Sequence, residues 1–230
     1  MAATAPVAAA RVALVAGATG LVGQAVLARL LADKRYTAVH CVGRRAPEQQ
    51  DPRLVVHLTK FFKDFVAPPV DEVFIALGTT IKVAGSRAAF EAVDLDAVLT
   101  LARAGRAGGA SRLGVVSAMG ANPRSPLFYN RVKGVMEAAI SGLGYTTVVI
   151  ARPALLTGDR TALKQSQRAG EQWAARAFKC LSPLLPANYR PIAAQQVALA
   201  LVDTLQSARA GRHLLLSADM AQHQATSPCA

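Results

Sequence analysis

Cysteine, aromatic residues and long runs of basic charge are all scarce in this sequence, and each scarcity removes a class of protein. The three cysteines, Cys41, Cys180 and Cys229, lie far apart with no CxxC pair, which gives no basis for a disulfide framework or a zinc cage. A reducing compartment is the simple reading, and no metal site is expected. Aromatic residues make up 5% of the chain and charged residues 17%. So few rings leave no stacking platform for nucleic acid, and with abundant alanine they point to closely packed helices rather than a sandwich. The formal charge is +12, yet lysine and arginine are scattered, in nothing longer than pairs such as Arg44 with Arg45. The excess therefore suits a phosphate-rich small ligand better than a polynucleotide.

A secretion signal is missing as well, because MAATAPVAAA has no basic start. Residues 12–28 are uncharged, but three glycines, a threonine and a glutamine interrupt them. The run falls short of the ~20 strongly apolar residues that a membrane span needs. The expectation is a soluble, cytoplasmic protein with no membrane contact; a homo-oligomer is left open.

What is present is an apolar fraction of 52% in 230 residues, enough for one domain with a substantial core. Strand-like runs at 11–16, 38–42, 54–58, 72–77, 112–117 and 146–151 alternate with helical spacing at 21–31, 87–107 and around 127–140. That order predicts an α/β fold: a doubly wound, mostly parallel, Rossmann-like sheet with helices on both faces. After Pro153 the alternation fades. A segment at 171–181, a proline-bearing loop at 183–191, a helix at 193–205 and a last strand at 213–216 follow. We expect a single domain over 1–230, with 153–192 as a small substrate-side cover and 217–230 as a loose tail. Trp173, Phe178, Leu184, Leu185 and Tyr189 are the candidate lining of that cover, and the same residues would also serve as ordinary core.

The stretch VAGATGLVG places Gly17, Gly20 and Gly23 between the first strand and the first helix. Such a turn lets the backbone approach a pyrophosphate at a helix N-terminus, which makes Gly17, Thr19, Gly20, Leu21, Val22 and Gly23 the candidate cradle. Near the end of the second strand, where an acidic residue would accept from a ribose 2′-hydroxyl, stands CVGRR. Arg44 and Arg45 there suit a 2′-phosphate, so NADP (NADPH) is expected and NAD disfavoured. Leu77, Gly78 and Thr79, in ALGTT after the fourth strand, are placed at the adenine side, with Thr79 reaching a phosphate or ribose. They would equally serve as plain turn residues.

In LFYNRVKGVMEA, Tyr129 and Lys133 lie one helical turn apart and share a face. A neighbouring ammonium draws a phenol's pKa down and prepares it for proton transfer. Ser117, ending the strand VVSAMG, is placed to donate to a substrate carbonyl; as alternatives it is a turn cap and Lys133 a solvated charge.

The series GATGLVG, Ser117, Tyr129 and Lys133 resembles the short-chain dehydrogenase/reductase family from about residue 11 to 155. LGTT, LFYNRVKGVMEA and RPALLTGDR are similar to its atypical, NAD(P)H-binding branch, which includes the human Tat-interacting protein and its bacterial relatives. The resemblance implies that Lys133 binds the nicotinamide ribose and lowers the Tyr129 pKa, that Tyr129 is the general acid/base, and that Ser117 orients the carbonyl. It also implies that Pro153 and Leu155, in RPALL, shape the nicotinamide pocket. The NNAG motif of commoner members is absent, so the asparagine of their proton relay has no evident counterpart. The implied activity is hydride transfer between NADP(H) and a small carbonyl or alcohol. The alternatives are an NADPH-binding regulatory or scaffold protein, and an NAD(P)-dependent epimerase or isomerase.

Overall fold

Seven parallel strands form the main sheet in the order β3-β2-β1-β4-β5-β6-β9, in a computed structural model that describes residues 10–157 and 186–223. The strands are β1 (Arg11–Ala16), β2 (Tyr36–Gly43), β3 (Leu54–Leu58), β4 (Glu72–Ile75), β5 (Arg112–Val116), β6 (Thr147–Arg152) and β9 (Gly211–Leu216). A separate parallel pair is made by β7 (Leu156–Thr157) and β8 (Ile192–Ala193). The winding direction reverses between β1 and β4, and the crevice beyond the carboxyl ends of those two strands is where such sheets bind ligands.

Alternation along β1 builds two cores. Ala13 and Val15 face a cluster that includes Val26 and Leu27 of α1 (Leu21–Ala32) and Val197 and Leu201 of α6 (Ala194–Ser207). Leu14 and Ala16 face the opposite cluster, with Leu101 of α4 (Val98–Ala107) and Met136 of α5 (Phe128–Ser141). Both faces of the central strands are therefore dry, which is why their sequences read as continuous apolar runs. At the amino end of the sheet the buried carboxylate of Glu72 accepts from Arg11 at 2.7 Å and from the Tyr36 hydroxyl at 2.5 Å. This network ties β1, β2 and β4 together at the end away from the crevice.

Three expectations need correction. The helix foreseen over 87–107 is broken into α3 (Arg87–Glu91), a π-helical segment Ala92–Ala97, and α4. The fourth strand stops at Ile75, so Ala76 and Leu77 belong to the loop at the crevice. The tail foreseen from 217 begins with a helix, α7 (Ser217–Gln222). Its Met220 is fully buried in the α1/α6 core, and Gln196 donates to the carbonyls of Met220 and His223. One apolar anchor and these hydrogen bonds fix a segment whose polar letters suggested none. Within the foreseen cover, Trp173, Phe178, Leu184 and Leu185 lie outside the described residues. Tyr189 sits in a short 3-10 turn, 59% exposed.

Candidate functional site

The glycine turn joins β1 to α1 with backbone packed so closely that side chains are excluded. Gly17 has φ +88°, a left-handed conformation, and a Cβ there would stand 2.6 Å from the carbonyl oxygen of Ala76 in the loop after β4. At Gly23 a Cβ would stand 2.0 Å from the Gly17 carbonyl oxygen. Glycine is thus demanded at both places, once by conformation and once by contact between helix and turn. The N-cap of α1 is Gly20, which offers no side-chain cap, and the first turn carries no acidic residue. The first amide with an intrahelical partner is that of Gln24, which donates to Gly20. The earlier N–H groups, of Leu21, Val22 and Gly23, stay available to an anion at the positive end of the helix. The Val22 side chain is buried in the core, so only its backbone can serve a ligand.

Beside this turn opens a cavity of about 410 Å³. Gly17 and Thr19 form one wall, Leu77 and the π segment another, and Arg44 and Arg45 stand at the end of β2. The loop after β3 adds Lys60, Phe61 and Lys63, which the sequence reading did not single out. Four exposed cations therefore border one cavity against the single carboxylate of Asp96. Among the described residues none of the four has an acidic partner within ion-pair distance; Lys63 lies 5.9 Å over the ring of Phe61. A basic rim unpaired among the described residues, beside a glycine-rich anion cradle, fits a phosphate-bearing ligand.

At the other end of the crevice stands α5. Lys133 is buried, 3% exposed, and its ammonium lies 2.7 Å from Asp94 of the π segment, itself buried at 1%. The second Asp94 oxygen accepts from the Thr79 amide at 2.9 Å. A Cβ on Gly78 would lie 3.5 Å from Asp94 and 3.9 Å from the Lys133 ammonium. Gly78 and Thr79 thus belong with Lys133 rather than at the adenine side where they were expected; only Leu77 of that group lines the cavity. Tyr129 is 36% exposed and packs its ring 5.4 Å from that of Phe90. Burial of the phenol and, second, the Asp94 carboxylate push its pKa up to about 12. The direction is upward where a lowering by Lys133 was expected.

Ser117 also departs from its expected role. Its hydroxyl donates to the buried Glu137 of α5 at 2.5 Å. Glu137 in turn accepts from Arg152 at 2.9 and 2.6 Å and from Arg212 at 3.1 Å. The proton meant for a substrate carbonyl is therefore spent inside the protein, on a carboxylate that locks α5 to β5, β6 and β9. Pro153 and Leu155 lie in the turn after β6. The Met119 amide donates to the Pro153 carbonyl at 3.0 Å, and the Ala154 amide donates to Ser217 at 2.8 Å.

Residues 13–126 match the NAD dependent epimerase/dehydratase family. The mitochondrial protein fmp52 of Emericella nidulans is 31% identical over 185 residues, 76% of this chain and 79% of that protein. HTATIP2 of Rattus norvegicus is 32% identical over 207 residues, 87% of this chain and 83% of that one. The chain belongs to the short-chain dehydrogenase/reductase family, on the branch of the HTATIP2 and FMP52 proteins. A crystal structure of a short chain dehydrogenase family protein from Francisella tularensis superposes with a TM-score of 0.66 at 17% identity, covering 93% of this chain and all of that one. This agrees with the Rossmann-like fold.

Membership makes this reductase-family chain an NAD(P)-binding protein. It also overturns one expectation. FMP52 relatives from several fungi are named mitochondrial, so a cytoplasmic location does not stand. No helix among the described residues is long and apolar enough to cross a membrane. Three functional candidates escaped the sequence reading: Asp94, Glu137 and the Lys60–Lys63 loop. Glu137 was the most accessible of them, since it falls four residues after Lys133 on the same helical face.

Proposed function

We propose that the chain is an NADP(H)-dependent oxidoreductase acting on a small carbonyl or alcohol, with Tyr129 as its general acid/base. The observation that carries this reading is the rim of Arg44, Arg45, Lys60 and Lys63 around the cavity that runs into the glycine turn. Four cations without acidic partners among the described residues favour a 2′-phosphate over a free ribose, which an acidic acceptor would serve better. Gly17, Gly20 and the first amides of α1 would hold the pyrophosphate, and Lys133 the ribose on the nicotinamide side. When bound, the nicotinamide supplies or accepts the hydride. The protein's own part is to hold the substrate oxygen at Tyr129 and pass a proton to or from it.

A second reading, an NADPH-binding regulatory protein with little turnover, is favoured by one observation: the Ser117 proton is committed to Glu137. Melting temperature measured with NADPH and with NADH tests the shared premise, because a ligand that binds only the native state raises it. A larger rise with NADPH is expected, and no rise with either nucleotide would retire both readings. Tyr129→Phe then separates them. In an oxidoreductase it abolishes turnover of a carbonyl panel while leaving NADPH binding intact; in a regulator there is no turnover to lose.

A further inference from the structure

Along β2 and β3, a few residues short of the basic rim, two histidines share a hydrogen bond. His40 of β2 and His57 of β3 bring Nδ1 and Nε2 to 2.9 Å, with ring centroids 5.2 Å apart. The bond and the two ring radii account for that separation, so the nitrogens point at one another. They lie on the α4/α5 face of the sheet, to which Leu14, the register partner of His40, and Val42 also belong. In such a bond one ring donates and the other must keep a lone pair to accept. The pair can therefore carry one positive charge with its bond intact. A second charge sets two N–H groups against each other, and the bond is lost.

The loop that follows is the one that carries half of the rim. His57 stands three residues before Lys60, and His40 four before Arg44. The Thr59 amide donates to the Gly43 carbonyl at 3.0 Å, which joins the two strand ends. After the 3-10 turn Phe62–Asp64 the chain returns, and the rings of Phe65 and His57 meet edge to face with centroids 5.5 Å apart. Among the described residues β3 pairs with β2 alone, at the edge of the main sheet. We infer that the His40–His57 pair is a proton-limited clamp, which holds the Lys60–Lys63 loop at neutral pH and releases it in acid, when a second charge enters the pair. Release moves Lys60 and Lys63 from the cavity and weakens the hold on a phosphate-bearing nucleotide. That consequence rests on the NADP(H) reading; the clamp itself does not.

No acid stands by to receive the second charge. On the neighbouring elements Arg11 of β1 is paired with Glu72, Arg53 before β3 with Asp51, and Asp94 of the π segment with Lys133. Arg44 and Arg45 follow β2, Lys60, Lys63 and Asp64 stand in the loop, Asp96 in the π segment, and Arg103 and Arg106 on α4. Among the described residues no carboxylate lies within ion-pair distance of either imidazole, and the cations on the loop oppose a further charge. Burial and, second, the charge of His57 hold His40 below the ordinary histidine range. A histidine depressed in this way leaves stability whole above pH ~6.5 and withdraws it as the pH falls further, because the opened loop binds a proton that the closed one refuses.

The test reads the loop itself and needs no nucleotide. Hydrogen exchange of the bonded amides of Thr59 and Phe65 is measured in the full chain at about pH 7.5 and about pH 5, either side of an ordinary histidine midpoint. Rates are corrected for the pH dependence of exchange in an open chain. One extra proton on the open form raises opening by up to roughly 30-fold at the lower pH. Wild-type protection of both amides should therefore fall by at least about tenfold. His40→Gln can still accept from His57 but takes up no proton, so its loop should keep its protection across the same range. A wild-type fall smaller than about threefold, or an equal fall in His40→Gln, overturns the inference. Should His40→Gln not fold, His57→Gln removes the second charge from the other side and carries the same expectation. The two readings fail separately: if neither nucleotide raises the melting temperature, the NADP(H) reading falls, while loop exchange still decides whether the histidines are a clamp.

Discussion

Replacing Arg44 and Arg45 together by alanine is expected to cost NADPH affinity and spare NADH. A 2′-phosphate carries about −1.5 to −2 charge near neutral pH. A hydrogen bond to a charged group contributes about 1.5–3 kcal/mol when well formed. Both arginines are exposed at the mouth of the cavity, so solvent screening holds each nearer to ~1–1.5 kcal/mol. Two such losses come to about 2–3 kcal/mol, a weakening of roughly 30- to 150-fold at 1.4 kcal/mol per tenfold. Lys60 and Lys63 remain beside the phosphate position and hold the loss toward the lower figure. Calorimetric titration of wild type and double variant with each nucleotide measures the effect. Salt gives a second handle, because charges at an open rim are screened over a Debye length of about 10 Å at 0.1 M. Wild-type NADPH binding should weaken with salt more steeply than NADH binding, and the variant should lose that difference. Equal losses for both nucleotides, or wild-type NADH binding as tight as NADPH binding, would refute the assignment of the basic rim to a phosphate.

The remaining expectations concern the frame around the site. Gly23→Ala drives a methyl group against the Gly17 carbonyl; overpacking of this kind costs about 1–3 kcal/mol, and the variant should melt lower and lose its NADPH-induced stabilisation, an unchanged nucleotide response counting against the cradle. Glu137→Gln strips the charge that Arg152 and Arg212 share; because those guanidiniums are partly exposed, about 1–3 kcal/mol of stability is expected to be lost rather than the full value of a buried pair, read as a lower melting temperature. Alkali should unfold the protein through Tyr36 and Tyr145. Burial raises both phenols well above the ordinary range, so above about pH 10 the unfolded chain releases protons that the folded chain keeps. Stability is then full below pH ~10 and falls by about 1.4 kcal/mol per pH unit for each such tyrosine. Tyr145→Phe should remove one proton from that slope, and an unaltered slope would show that Tyr145 titrates normally.

Much of the fold was legible because its rules are local. β1 and α1 announce themselves by apolar runs bounded by the glycine turn, and the alternation of elements fixes the parallel sheet. The glycine cradle was legible for a related reason: Gly23 answers to the Gly17 carbonyl within the same turn, and Gly17 to its own left-handed φ of +88°. What escaped were partners supplied from far along the chain. Asp94 meets Lys133 across 39 positions of sequence, counted from their numbers, and only the stacking of the π segment on α5 brings them together. Lys60 and Lys63 join Arg44 and Arg45 because β3 pairs with β2, which carries the ends of both strands to one corner. Ser117 was misread because a hydroxyl at a strand end looks the same in sequence whether it faces a ligand or a buried carboxylate.

These partners converge on α5, and the convergence explains why one helix can serve both stability and chemistry. Tyr129, Lys133 and Glu137 follow one another at four-residue steps, so phenol, ammonium and carboxylate line a single face. Each of the two buried charges is matched from a different element, Lys133 by Asp94 and Glu137 by Arg152 and Arg212. A helix held this way has little freedom to rotate, because turning it would strand a buried charge at each step, and an uncompensated buried charge is among the costliest defects a fold can carry. Tyr129 lies at the N-terminal end of that series, where the pairing stops, and is 36% exposed. The pinned lysine and glutamate thus set the azimuth of the one polar group on the face that is left open to a ligand. Loosening either pair should therefore disturb Tyr129 before it unfolds α5, and the order of those two events on heating Glu137→Gln, read from the Tyr129 13Cζ signal against helical circular dichroism, tests the argument: simultaneous loss would mean that the pairs hold the fold alone.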